Sequence, residues 1–163
     1  GFNGQTSKDF IGKYPDYKSI YYFEPSPEFF SVSQKVLEDV ERIQLYNLGL
    51  WNKEGIMQFN PSLSSASRIE EHGAIRIKTT SIDETVKGKV SFIKLDIEGA
   101  ENEAIEGAEE KIRKYKPALA VCVYHKQEDF FKVPLKVISF QPGYKIYFRH
   151  YTQGVFESVM YFI

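Results

Sequence analysis

Val90-Ser91-Phe92-Ile93-Lys94-Leu95-Asp96-Ile97-Glu98-Gly99-Ala100-Glu101 is the stretch that decides how this chain folds. An apolar run of strand length stops at two carboxylates and a glycine, and a helical pattern begins at once. The stretch therefore reads as a strand delivering acids to the edge of a sheet, where open α/β sheets bind their ligands. Alternation puts Phe92, Lys94, Asp96 and Glu98 on one face and Ile93, Leu95 and Ile97 on the other. A lysine in mid-strand beside two acids predicts a charged cluster whose members satisfy one another.

Ala104, Ile105, Ala108 and Ile112 then recur at helical spacing. Glu101 and Glu103 occupy the first turn and Lys111, Arg113, Lys114 and Lys116 the last, as the helix dipole favours, and Pro117 stops the run. The pattern predicts one helix with Gly107 inside it. A glycine there costs about 1 kcal/mol against alanine, so close packing on the sheet is its expected purpose. Ala118 to Tyr124 is a second buried strand by composition, and it too ends at a polar group, His125. Strand, helix, strand in this order implies a parallel crossover.

Working outward, 163 residues with 42% hydrophobic content suit one domain, 1–163, with a sizeable core. A net charge of -1 with acids and bases interspersed offers no footprint for nucleic acid. The lone Cys122 excludes an internal disulfide framework and sits within an apolar run, as a small buried hydrophobe would. No signal peptide or long apolar span is visible, so a soluble, cytoplasmic protein without a membrane span is expected. The sequence does not begin with Met, which is compatible with an upstream segment.

Gly1-Phe2-Asn3-Gly4 followed by Thr6 to Phe10 has the form of a ligand-cradling loop entering a helix. Ser19 to Phe23 is a short strand ending at Glu24, about 20 residues on, where nucleotide-binding units place the acid that holds ribose. Ser26, Pro27 and Glu28 start a capped helix running to about Glu38. Arg42 to Leu50 reads as a third strand. Ile56 to Phe59 and Ala74 to Lys78 are β-like runs separated by the serine-rich Pro61 to Ser67, a hairpin loop or a lid. Ser81 caps a short helix near Asp83 to Val86. Pro134 interrupts Phe130 to Phe140, leaving at most a short helix, and Tyr144 to Tyr151 with Phe156 to Ile163 form a terminal antiparallel hairpin.

Gly-Phe-Asn-Gly at 1–4, Phe-Glu-Pro at 23–25, Ile-Lys-Leu-Asp-Ile-Glu-Gly-Ala-Glu at 93–101, Tyr-His at 124–125 and Tyr-Phe-Arg-His-Tyr at 147–151 together resemble the FkbM-type S-adenosylmethionine-dependent methyltransferases. The likeness covers essentially the whole chain. It implies a Rossmann-like, mostly parallel α/β sheet with an antiparallel terminal strand, and methyl transfer to a hydroxyl oxygen. Members of the family carry a strand and an acidic loop before the position of Gly1, so the resemblance also implies a first strand absent from this sequence. Gly1, Phe2, Asn3 and Gly4 would pass the methionine part of the cofactor, Glu24 would hold its ribose, and Asn47, Gly49 and Leu50 would border the adenine.

Transfer from a sulfonium requires an acceptor oxygen held in line and a group to take its proton. Asp96 at the strand end is a candidate to touch the cofactor, to orient the acceptor or to act as base; His125 is the other proton acceptor, with an ordinary pKa near 6.5. Each has a plainer reading: Asp96 paired with Lys94, His125 merely hydrogen-bonded, Glu24 an ordinary surface acid, and the loop glycines a simple turn. Glu98 and Glu101 read as structural, His150 as a possible pocket residue and His72 as solvated. Asp96, Glu98 and His125 lack the tight spacing of a metal site. The acceptor would be a small molecule or glycan, with a sugar hydroxyl or a secondary metabolite both open. Two other functions compete: an NAD-dependent oxidoreductase, since a glycine loop and strand-end acid fit both cofactors, and a non-catalytic binding module.

Overall fold

The computed structural model describes residues 2–60, 68–69, 75–154 and 156–163. Gly1, the serine-rich 61–67, and 70–74 with Ala74 and His72 lie outside the described residues, so the expectations placed on them stay with the sequence.

Six helices and ten strands are described: α1 (Gln5–Lys13), β1 (Ile20–Phe23), α2 (Pro27–Val36), β2 (Ile43–Tyr46), β3 (Gly49–Leu50), β4 (Gly55–Asn60), β5 (Arg68–Ile69), β6 (Ile75–Thr80), α3 (Ile82–Thr85), β7 (Phe92–Leu95), α4 (Glu101–Glu106), α5 (Glu109–Tyr115), β8 (Ala118–Cys122), α6 (Asp129–Phe140), β9 (Ile146–His150) and β10 (Ser158–Phe162). They form an α/β fold with mixed sheets. Parallel pairing joins β1 to β2 and β7 to β8, while β4 pairs antiparallel with β5 and β6, and β10 with β8 and β9. Antiparallel pairing is thus commoner than the sequence predicts, because hairpins build both the middle and the end of the chain.

The chain divides into two compact units, Gly1–Gly49 with Gly55–Thr79, and Leu50–Glu54 with Thr80–Ile163. In the first, the predicted strand from Arg42 to Leu50 is two strands in two sheets: β2 ends at Tyr46, and Gly49 starts β3 in the sheet of order β3-β6-β4-β5. Gly49 is buried so closely that an added Cβ would stand 3.1 Å from Ile77 Cδ1. Helix α2 begins as its sequence requires, with Ser26 accepting from the Phe29 amide and Pro27 at the first helical position.

In the second unit the sheet order is β7-β8-β10-β9. Ile93 and Leu95 of β7 are buried, as are Leu119 and Val121 of β8, together with Ala104, Ile105, Ile112, Val133, Val137 and Phe162. Alternation holds along β7, whose Phe92 and Lys94 are exposed. The predicted single helix is two. It breaks at Gly107-Ala108, where α4 ends and α5 starts. Asp83 accounts for the break: its carboxylate accepts from the Glu110 and Lys111 amides at 2.9 and 3.0 Å, capping α5 from outside, while its own amide donates to the Gly107 carbonyl. Gly107 does permit a close approach, but to Trp51, Asn52 and Ser81 and not to the sheet; a Cβ there would lie 2.2 Å from the Trp51 carbonyl oxygen.

Helix α6 also differs from expectation. It runs twelve residues with Pro134 inside it. Val133 and Val137, four residues apart, are both fully buried, and this apolar stripe outweighs the single backbone bond that proline removes. No helix among the described residues is long and apolar enough to cross a membrane.

Candidate functional site

The first unit gathers its candidate residues around one carboxylate. Glu24 follows directly on β1 and is 6% exposed. Its Oε2 accepts from the Phe2 amide and its Oε1 from the Ser26 amide at 2.8 Å, so it ties the Phe2–Gly4 loop to the start of α2. Behind it, Tyr22 donates its hydroxyl proton to the Phe2 carbonyl at 2.8 Å, and Ser33 Oγ reaches the same oxygen at 2.8 Å. Burial, moderated by the Ser33 contact, pushes the Tyr22 phenol up to about 12, so it remains a donor at any ordinary pH.

The loop itself needs its glycine. Gly4 has φ 85°, and a Cβ on it would meet Leu37 at 3.0 Å, so the left-handed backbone and the tight approach both exclude a side chain. Phe2 also lies in the left-handed region, at φ 58°, with its ring 4.7 Å from that of Phe29. Asn3 Oδ1 accepts from the Gln5 amide at 3.1 Å and so starts α1. Asn47 donates to the carbonyls of Glu24 and Pro25 at 2.8 and 3.2 Å, bracing the turn that carries the acid. Phe2, Asn3, Gly4, Glu24, Asn47 and Gly49 thus belong to one unit, whereas Leu50, the second residue of β3, is counted with the other.

The second unit brings Asp96 and His125 together. Parallel pairing sets Leu95 opposite Val121, so the residues after β7 and β8 emerge at the same sheet edge. Asp96 Oδ1 accepts from the Tyr124 hydroxyl at 3.1 Å, and Oδ2 lies 3.1 Å from Lys94 Nζ. His125 Nε2 stands 3.7 Å from Asp96 Oδ1 and 3.3 Å from Glu98 Oε2, and Nδ1 stands 2.9 Å from Glu101 Oε1. The last separation is of hydrogen-bond length, yet among the described residues both ring nitrogens lack a well-directed bond. The Glu101 contact is accordingly a close ion pair with the oxygen off the N–H axis.

Backbone shape contributes to the cluster. Glu98 has φ 59° and Gly99 φ 92°, two consecutive left-handed residues that turn the chain from β7 into α4. Such a conformation at Glu98 persists only where its surroundings hold it, and it is a feature of functional turns. Glu101, fully buried, accepts from the Ile97 amide at 2.9 Å and closes the same turn.

Opposing influences set the charges. For His125, burial favours the neutral ring, but the Glu101 contact and the negative charges of Glu101, Glu98 and Asp96 together outweigh it and raise the pKa above its ordinary value. For Asp96, burial favours the neutral acid, while Lys94, Cys122 and His125 together hold the carboxyl below its ordinary range. The edge therefore presents a carboxylate beside a ring whose protonated form its surroundings favour. Burial and the Asp96 charge push the Cys122 thiol upward, which makes it inert as a nucleophile and agrees with its plain reading.

His150 lies on the exposed β9, and its Nδ1 is 2.9 Å from Ser158 Oγ on the neighbouring strand. Two residues enter the cluster that sequence reasoning gave no role at the acids: Tyr124, through its bond to Asp96, and Glu101, through its contact with His125. Their signals were position alone, Tyr124 directly before His125 and Glu101 one helical turn after Glu98. Among the described residues no group of His, Cys, Asp and Glu has the arrangement of a metal site.

Comparisons with known proteins agree with this architecture. Residues 4–153 match the methyltransferase FkbM domain. The crystal structure of methyltransferase FkbM from Methylobacillus flagellatus KT superposes with a TM-score of 0.83 at 26% identity, over 98% of this chain and 40% of that one. A candidate rRNA methylase of Clostridium thermocellum shares the fold alone, with a TM-score of 0.57 at 13% identity, over 99% of this chain and 84% of that one. No curated protein matches. This chain spans 40% of the length of the Methylobacillus protein, and by the match across 4–153 it belongs to the FkbM methyltransferase family.

Proposed function

We propose that this chain carries out S-adenosylmethionine-dependent methyl transfer to a hydroxyl oxygen, on a sugar or glycan or on a secondary metabolite. The observation that carries the reading is the Asp96 carboxylate at the common end of β7 and β8. It is held ionised by Lys94 and His125, and it is aimed by the Tyr124 hydroxyl. Family membership supplies the reaction class.

The residues present fit the cofactor. Asp96 and Glu98 give the second unit a carboxylate-rich edge, favourable to a sulfonium cation. Glu24, fixed by two backbone amides, is an acceptor of the kind that ribose hydroxyls require. We assign the nucleoside to Glu24, Asn47, Gly49 and Leu50, and the amino-acid portion to the loop at Gly1, Phe2, Asn3 and Gly4. When bound, the cofactor supplies a methyl group already activated for attack. The protein must then orient the acceptor hydroxyl and accept its proton, and both tasks fall to Asp96. His125, cationic and surrounded by acids, maintains the charge balance of the edge. The same reading takes the second unit's sheet as Rossmann-like, ending in an antiparallel strand.

Calorimetry with S-adenosylmethionine and NAD, on this chain and on a version extended upstream, tests the reading. Heat is expected for the first ligand only, and more of it with the extended chain. Binding of NAD in its place would establish the oxidoreductase alternative, and binding of neither by both chains would leave a non-catalytic module.

A further inference from the structure

His125 is 7% exposed at its side chain, and among the described residues the charged groups paired with it are all acids: Asp96 at the end of β7, Glu98 in the left-handed turn, and Glu101 from α4. Its other neighbour is the Tyr124 ring, with centroids 4.0 Å apart. Of the three acids Glu101 is the closest, and it is fully buried where Asp96 and Glu98 are partly open to solvent. It is also the one that the backbone fixes, through the Ile97 amide within the same turn. Its remaining oxygen, Oε2, is buried with no hydrogen-bond partner among the described residues. A buried carboxylate so placed needs a cation, and His125 is the one it touches.

We propose that Glu101 is a positioning residue for the transfer reaction: anchored by the Ile97 amide, it holds the His125 ring as a cation with Nε2 turned toward Asp96 and Glu98, which leaves Asp96 as the group that receives the acceptor's proton. This assignment rests on the transferase reading for its consequence, but not for its geometry. The Ile97–Glu98–Gly99 turn, the imidazolium and the acid pair form one unit. Glu101 sets the charge on His125, and His125 in turn adds, after Lys94 and Cys122, to what holds Asp96 ionised. Asp129, 1% exposed on α6, belongs to the same buried layer: burial and then the Glu101 charge raise its pKa above the ordinary value, and its Oδ1 accepts from Asn102 at 2.8 Å.

The test is a nitrogen-15 NMR titration of the His125 imidazole in the full chain, without cofactor or acceptor. In the wild-type protein both ring nitrogens should be protonated at pH 7, with a midpoint above the ordinary value of about 6.5. Glu101→Gln keeps an oxygen for the Ile97 amide, and its midpoint should fall to about 6.5 or below. A neutral His125 in the wild type, or a midpoint unmoved by Glu101→Gln, overturns the proposal; the wild-type titration decides even if the variant does not fold. Should transfer be measurable, Glu101→Gln should lower kcat by about 10- to 100-fold with KM for the methyl donor unchanged, less than the loss on removing the proton acceptor itself. The titration holding while no methyl moves would refute the transferase reading and leave the Glu101–His125 assignment standing.

Discussion

Asp96 and Gly107 show how differently a single side chain can matter in this protein. Asp96 is half-buried and bound on both oxygens by Tyr124 and Lys94, contacts that position it without being needed for the core. Asp96→Ala should therefore fold and still bind the methyl donor, more weakly by the charge lost near the sulfonium, while losing about 100- to 10,000-fold in transfer rate. Steady-state kinetics beside donor calorimetry check this, and unchanged turnover would remove Asp96 from the chemistry. Gly107 touches no reacting group, yet its absent side chain is structural. A methyl there would be driven to 2.2 Å from the Trp51 carbonyl oxygen, with Ser81 and Asn52 closing the other sides at 2.9 and 3.0 Å. Gly107→Ala should cost about 2–3 kcal/mol of stability through overpacking, read from the urea midpoint, with a wild-type slope.

At the scale of elements, local chemistry was legible wherever a segment carried its own start signal. Helix α3 is only four residues, Ile82–Thr85, but Ser81 accepts from the Glu84 amide at 3.2 Å while Glu84 reaches back to the Ser81 amide at 3.2 Å. Ser81 as the cap could be expected from its position in the sequence, and the bond returned by Glu84 is what the structure adds. Ser81→Ala should destabilise the second unit by about 1 kcal/mol, seen as a shift in the thermal midpoint. Elements whose limits depend on distant partners were not legible. The break between α4 and α5 depends on Asp83, more than twenty residues away in sequence, and nothing within Glu101–Tyr115 announces it. Pro134 argued for a short helix, and the burial of Val133 and Val137 overrode it. The single strand read from Arg42 to Leu50 failed because apolar content cannot report a change of sheet. At the candidate site, parallel strands ending together could be anticipated from the Asp96 and His125 strand ends, whereas the ion pair from Glu101 required a left-handed turn that Glu98 hides.

Across the whole molecule the acid–imidazole cluster ties stability to pH in a way that composition alone would not suggest. His125 has a raised folded-state pKa, so its contribution is complete below its unfolded value of about 6.5 and is lost as pH rises through the higher folded value. Asp96 has a lowered one, so its contribution is complete above about 3.9 and is lost as pH falls through the lower folded value. Asp83 and Asp129, both raised chiefly by burial, act in the opposite sense to Asp96, their contributions fading as pH rises from about 3.9 through their folded values. Absolute stability therefore mixes several titrations, but the difference between wild type and His125→Gln isolates one. That difference should be largest at about pH 5–6, where the ring is charged and its carboxylate neighbours are ionised. It should shrink above the raised His125 pKa, as the ring loses its proton, and again in acid, as the carboxylates gain theirs. Thermal midpoints of the two proteins across this range provide the measurement. A gap that stays constant with pH would mean that His125 contributes by packing against Tyr124 and not by charge.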